Sequence, residues 1–274
     1  MFRVTRLPVF RVTRLPVVSS HALGRVSLGW FPHNKLIISL DAKQHAWAAS
    51  AASGAVMLAL VQATKASTRL LPTKVTRKLL HISAGPLFIA TWPFWPDDST
   101  TSRYLAAAVP LAMTLKFAAT GLGLVGSDAE VALMARSGDR AEILRGPLLY
   151  GIVFVVATLF GFRNITAAYA LMCLCFGDGL ADVIGRRYGH QKLPWSKKKS
   201  VAGTLAFILS SFFACLVIRR FFAHMGWSTK ATWVGDAHPL LIASLVAGLV
   251  ESMPFADIDN VLAPAAFALV LQGL

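Results

Sequence analysis

At 274 residues, 55% hydrophobic and only 15% charged, with a mean hydropathy of +0.60, the chain is not an ordinary soluble domain, where about a quarter of residues carry charge. A net charge of +14 fits loops facing an anionic leaflet; no basic stripe with interleaved aromatics lies outside the apolar runs, which argues against nucleic acid as a partner. Cys173, Cys175 and Cys215 all sit in apolar runs without a C-x-x-C spacing, which points away from zinc and from a disulfide framework.

Residues 1–40 contain no acid and carry Arg3, Arg6, Arg11, Arg14, Arg25 and Lys35 among scattered Ser and Thr. That is the composition of an organelle transit peptide rather than of a secretory signal. Phe2–Val9 is repeated identically as Phe10–Val17, and a segment that tolerates such a duplication is not packed in a core. The expected division is a transit peptide over 1–45 and a membrane-embedded domain over 46–274.

Apolar blocks near the ~17–25 residues that cross a bilayer follow. They are Ala46–Ala63, Leu79–Trp95, Tyr104–Val125, Pro147–Phe162, Ile165–Phe176, Val201–Phe222, Pro239–Val250 and Val261–Leu274. The expected fold is all-α: a polytopic integral membrane helical bundle of about seven transmembrane helices, with six to eight as the range. Arg77-Lys78-Leu79-Leu80-His81 places two cations and a histidine at the start of a span, where Lys and Arg also serve as ordinary interfacial anchors. If this stretch is helical, His81 shares a face with Arg77. Trp92-Pro93-Phe94-Trp95 reads as an interfacial aromatic belt, and Asp97-Asp98 as loop acids. Gly126–Gly146 is the longest hydrophilic excursion; its mixed charges suit a short surface helix or an ordered loop, either solvated or facing a substrate.

The chemistry concentrates after Ala167–Phe176, in Gly177-Asp178-Gly179-Leu180-Ala181-Asp182-Val183-Ile184-Gly185-Arg186-Arg187. Acids at membrane depth are expensive and mark function by default. In a helix Asp178 and Asp182 share one face, where their repulsion costs roughly 0.2–0.5 kcal/mol and a divalent cation converts it into a binding site. Mg²⁺ is the candidate, because it takes one or two carboxylates plus substrate phosphates. Lys192 and Lys197-Lys198-Lys199-Ser200-Val201-Ala202-Gly203-Thr204 then form a basic loop that opens the next apolar run. A helix amino terminus binds phosphate through its free N–H groups and dipole, and small residues let the phosphate approach. No Walker A loop and no protein-kinase motif set is present. Glu251 is the remaining acid at membrane depth, and Asp259 or Asn260 suits a helix cap as well as it suits chemistry.

These residues resemble the polyprenol kinase family, and within it the phytol kinase and farnesol kinase branch. The matching pieces are Arg77-Lys78-Leu79-Leu80-His81; Ser137-Gly138-Asp139-Arg140 with Glu142 and Gly146-Pro147; and Gly177-Asp178-Gly179 with Ala181-Asp182, Gly185-Arg186 and Gly189. Lys192-Leu193-Pro194, Lys199-Ser200 with Ala202-Gly203, and Val250-Glu251-Ser252 with Pro254, Asp257 and Asp259-Asn260 complete them, in order over residues 73–274. Thr204 stands where serine is usual, and the cysteine pair before the motif is uncommon.

The resemblance implies phosphoryl transfer from CTP to the primary hydroxyl of a long prenyl alcohol. Phytol is the expected acceptor, and its monophosphate would feed tocopherol synthesis from a chloroplast membrane. The expected site has Asp178, Asp182 and Glu251 as catalytic residues. Asp178 and Asp182 hold Mg²⁺, and Glu251 either completes the metal shell or acts as base. Gly177, Gly179, Gly185, Arg186, Lys192, Lys198, Lys199, Ser200, Ala202 and Gly203 are expected to bind nucleotide and phosphate, with Arg77, His81 and Asn260 in support. Rival readings on the same scaffold are a farnesol or geranylgeraniol kinase, or a CDP-lipid cytidylyltransferase, which releases pyrophosphate instead of CDP. A transporter with broken helices is the rival from another class.

Overall fold

The computed structural model describes residues 41–96, 99–226, 233–255 and 258–274, and the regular elements among them are helices apart from one short hairpin. Residues 1–40, the Asp97-Asp98 pair and Asp257 lie outside the described residues. Helix α1 (Ala42–Ser67) therefore begins inside the stretch assigned from sequence to the transit peptide. It is followed by α2 (Thr73–Ala90), a 3₁₀ turn (Trp92–Phe94), α3 (Thr100–Gly121), α4 (Asp128–Met134), α5 (Arg140–Ile143) and α6 (Gly146–Gly161). Then come α7 (Ile165–Met172), a π turn (Cys173–Asp178), α8 (Gly179–Tyr188), strands β1 (Lys192–Leu193) and β2 (Ser196–Ser200), α9 (Val201–His224), α10 (Trp233–Ser252) and α11 (Asp259–Gly273).

Among the described residues, five helices are long and apolar enough to cross a bilayer: Ala42–Ser67, Thr100–Gly121, Arg140–Gly161, Ile165–Tyr188 and Val201–His224. Helices α2, α10 and α11 pack beside them. The residue distribution is that of a bundle solvated by hydrocarbon. On α1 the buried positions are Ala46, Ala49, Ser53 and Thr64, while Leu58 and Trp47 point outward. Phe160 is 82% exposed and Val217 65%, whereas Ala243 and Ala247 on α10 are fully enclosed. Lipid tails are as apolar as leucine, so such bundles bring small residues together and turn large ones outward.

Helix α3 packs on α1 and α6, and α1 also packs on α2; α9 packs on α8 and α10, and α10 on α11. The two groups meet where α2 lies against the π turn and α8, and where α6 and α11 contact α7. The aromatic cluster after α2 differs from the belt expected at the membrane interface. Trp92 and Trp95 are buried, each 5.5 Å from the Phe162 ring centroid, and only Phe94 of this group is exposed.

The hydrophilic excursion is an ordered pair of short helices. Ser127 and Glu130 form a reciprocal capping box on α4. Glu130 also accepts from Lys65 of α1 at 2.8 Å and Lys116 of α3 at 2.9 Å, and these two ammonium groups, with the Ser127 N–H, hold its carboxyl down to about 2. Arg140 donates to the carbonyls of Thr120, Val125 and Gly126, and Glu142 accepts from the N–H groups of Arg136 and Ser137 at 2.7 and 2.8 Å. The segment's own charges thus fold it, leaving Arg136 and Arg145 free to face inward.

Candidate active site

The two aspartates converge as their spacing predicts. Asp178 closes the π turn and Asp182 lies one turn on in α8. Lys78, in the second turn of α2, places Nζ 3.4 Å from Asp178 Oδ2 and 3.4 Å from Asp182 Oδ2. His81 Nε2 stands 3.1 Å from the same Asp178 oxygen, and Arg186 Nε donates to Asp182 Oδ1 at 2.8 Å. The histidine is held from α6, where the Tyr150 hydroxyl donates to the His81 carbonyl at 2.9 Å and lies 3.0 Å from Cys175 Sγ. Three helices and the π turn therefore set one carboxylate pair. A π turn inside an α-helix is uncommon and recurs at functional sites.

The basic loop expected before α9 is an antiparallel hairpin, with Lys192 opposite Ser200 and Leu193 opposite Ser196. Its strand β2 buries Ser196 and Ser200 and turns Lys197 and Lys198 outward. Trp195 pins the turn by donating from Nε1 to the Ser252 carbonyl and hydroxyl, both at 3.2 Å. Ser200 caps α9 by accepting from the Gly203 N–H at 3.2 Å. Lys199 turns inward, and its Nζ donates to Glu251 Oε1 and, at 2.7 Å, to Asp259 Oδ2. Burial alone would lower the Lys199 pKa; the two carboxylates outweigh it and raise it.

The hairpin lies close against α8. A Cβ on Gly189 would collide with the Gly185 carbonyl and Ser200 Oγ. Gly189→Ala is expected to push the hairpin off α8 and to destabilise the fold by about 1–3 kcal/mol, read as a lower unfolding midpoint in detergent.

Both ion networks border one cavity of about 800 Å³. Of the residues expected from sequence, Asp178, Asp182, Glu251, Gly185, Arg186, Lys192, Lys198, Lys199, Ser200, Gly203, Arg77, His81 and Asn260 line it. Gly177, Gly179 and Ala202 do not line it. A Cβ on Gly177 would meet Ser211 and Phe207 of α9, and one on Gly179 would meet Ile82 of α2, so these two glycines serve helix packing around the aspartates. From Lys78 the cavity continues between α1, α2, α3 and α6 as an apolar arm bordered by Met57, Phe88, Val109, Met113 and Phe154.

The chain is 35% identical over 213 residues to a probable phytol kinase 1, chloroplastic, of Glycine max, covering 76% of this chain and 70% of the relative. It is 36% identical over 216 residues to a probable phytol kinase, chloroplastic, of Triticum aestivum, covering 77% and 71%. The chain belongs to the phytol kinase and farnesol kinase branch of the polyprenol kinase family. A farnesol kinase, chloroplastic, of Arabidopsis thaliana is 35% identical over 189 residues, covering 68% of this chain and 61% of the relative. No family model matches the chain, and no solved structure matches it.

Within this family member, sequence reasoning passed over several groups that line the cavity. Lys78, which joins the two aspartates, was passed over beside Arg77 as an interfacial anchor; its i,i+3 spacing to His81 was the available signal. Arg136 and Arg145 lay in the excursion read as solvated, and Tyr150 and His190 carried no local signal. Asp259, weighed as a cap, holds Lys199. For a divalent ion the protein offers Asp178 and Asp182; among the described residues no group of three or more ligating side chains forms. That donor set fits Mg²⁺, which retains water and substrate phosphate as its other ligands.

Proposed function

We propose that the protein transfers the γ-phosphoryl group of CTP to the primary hydroxyl of a long prenyl alcohol, phytol foremost, in a chloroplast membrane, and that the product feeds tocopherol synthesis. The observation that carries this reading is one cavity joining a carboxylate and lysine end to an apolar arm, in a chain of this family. A kinase that joins a nucleotide to a lipid alcohol needs both environments within one bond's reach.

The hydroxyl oxygen forms a bond to the γ-phosphorus, the bond from that phosphorus to the β,γ-bridging oxygen breaks, CDP leaves, and the hydroxyl proton passes to Asp178. Asp178 and Asp182 would hold Mg²⁺, which supplies neutralisation of the phosphate charge. Lys78, Arg186, Lys192 and Lys198 neutralise the remaining triphosphate charge, and positioning with charge neutralisation accounts for most of the acceleration in phosphoryl transfer. His81 orients Asp178 at the mouth of the apolar arm. The Lys199 charge is already balanced by Glu251 and Asp259, so these three hold the hairpin that carries Lys192 and Lys198.

The test is transfer of label from γ-labelled CTP, ATP, GTP and UTP to phytol, farnesol and geranylgeraniol by the purified protein with Mg²⁺. Labelled prenyl monophosphate with release of CDP, fastest from CTP and to phytol, is expected. Label on none of the alcohols overturns the reading, and a CDP-lipid with release of pyrophosphate replaces it by the cytidylyltransferase.

A further inference from the structure

The apolar arm has a built geometry. One wall is a file of aromatic rings that begins at the catalytic carboxylate. His81, 3.1 Å from Asp178, stacks at 4.5 Å on Tyr150; Tyr150 lies 4.8 Å from Phe154, and Phe154 lies 6.1 Å from Phe88. Behind Phe88, Trp92 stands edge-on at 6.1 Å and is fully buried. The file therefore runs from the reacting end to a closed end. Phe88 is 1% exposed, yet it borders the cavity. Seven residues of α2 separate His81 from Phe88, a rise of about 10 Å.

We propose that this file is the gauge for the prenyl chain: the hydroxyl sits at Asp178, the tail runs along Tyr150 and Phe154, and Phe88 stops it. The inference rests on the proposed function for its substrate and adds the residues that set chain length. Flat, weakly polar ring faces suit a branched, partly unsaturated isoprenoid tail, and an arm with few polar groups beyond Tyr150 gives no reason for a hydrophilic occupant. The opposite wall comes from α1 and α3, where Met57 and Met113 are adaptable surfaces. Selectivity should therefore reside in the fixed aromatic wall and not in the thioethers. A pocket that gains or loses one methylene's room changes preference about 10–200-fold, so one ring at the stop is enough to be measured.

Two measurements test this. In the first, kcat/KM is measured for geraniol, farnesol and geranylgeraniol with wild type and with Phe88→Leu, a change mild enough to keep the fold. The geranylgeraniol-to-farnesol ratio is expected to rise at least tenfold in Phe88→Leu, and Met113→Phe, which narrows the arm from α3, should lower it. Unchanged ratios in both variants, with transfer intact, overturn the gauge. In the second, a farnesol analogue with a photoreactive diazirine at its terminal carbon is crosslinked to unaltered protein, and the labelled peptides are mapped. Label on α2 around Phe88 or on α3 around Met113 is expected; label confined to the outer surface at Phe160 or Phe213 overturns the proposal. Crosslinking in the arm without phosphoryl transfer to any alcohol would sink the kinase reading and leave the arm's occupant standing, so the two failures are distinguishable.

Discussion

Replacing Asp178 by asparagine is expected to lower kcat by about 10²–10⁴-fold while the bundle stays folded. The carboxylate is the point where α2, α6 and the π turn meet, through Lys78, His81 and the Tyr150 hydroxyl behind it. Asparagine keeps the shape and one acceptor oxygen but removes the charge that a magnesium ion and a departing hydroxyl proton both require. Lys78 keeps Asp182 as a partner at 3.4 Å, so the substitution leaves no orphaned buried ammonium, and the fold should tolerate it. Two further readings separate a catalytic carboxylate from one that merely balances Lys78. Nucleotide affinity should weaken in the presence of Mg²⁺ and change little in its absence. Turnover should also stay low in Lys78→Met with Asp178→Asn, where charge balance is restored. Recovery in that double variant would make Asp178 a counterion only, and wild-type turnover in the single variant would remove it from the mechanism.

How much of this was legible in the sequence depended on whether a residue's role was set by its neighbours in the chain. The Asp178–Asp182 pair was readable because the π turn ends at Asp178, and the spacing onward is ordinary α-helix that keeps both carboxylates on one side. The apolar blocks were readable for the same reason: bilayer thickness fixes a length that composition displays. Lys78 was not, because its partner lies 100 residues away and a lysine that opens a span looks like any anchor. The hairpin was not, because a Lys-Lys-Lys strand carries no apolar alternation; it forms because Trp195 docks on Ser252 and because Ser196 and Ser200 fit beneath it. The glycines of the motif misled in an instructive way. Glycine admits a phosphate and admits a neighbouring helix for the same reason, the missing Cβ, and at Gly177 and Gly179 the neighbour is a helix. Trp92 and Trp95 looked like a membrane belt, yet the turn after α2 folds both onto Phe162.

The Lys199–Glu251–Asp259 triad predicts an order of stabilities that a catalytic role for Glu251 would not produce. Lys199→Met leaves two carboxylates facing each other at a site where Glu251 is 5% exposed, and removing one partner of such a buried set costs about 3–5 kcal/mol. Glu251→Gln, by contrast, leaves Lys199 paired with Asp259 at 2.7 Å and should cost far less. In Lys199→Met with Glu251→Gln one of the two opposed charges is gone, so the double variant should be more stable than Lys199→Met alone; this non-additivity marks direct coupling. Unfolding midpoints in detergent read the order directly. Activity reads the role. A strut that holds the hairpin predicts that Glu251→Gln keeps turnover within about tenfold of wild type, with its loss appearing mainly in the KM for nucleotide as Lys192 and Lys198 loosen. A fold as stable as wild type combined with a thousandfold loss of kcat would instead make Glu251 the base or a metal ligand. Lys199→Met as stable as wild type would show that the triad does not hold the hairpin at all.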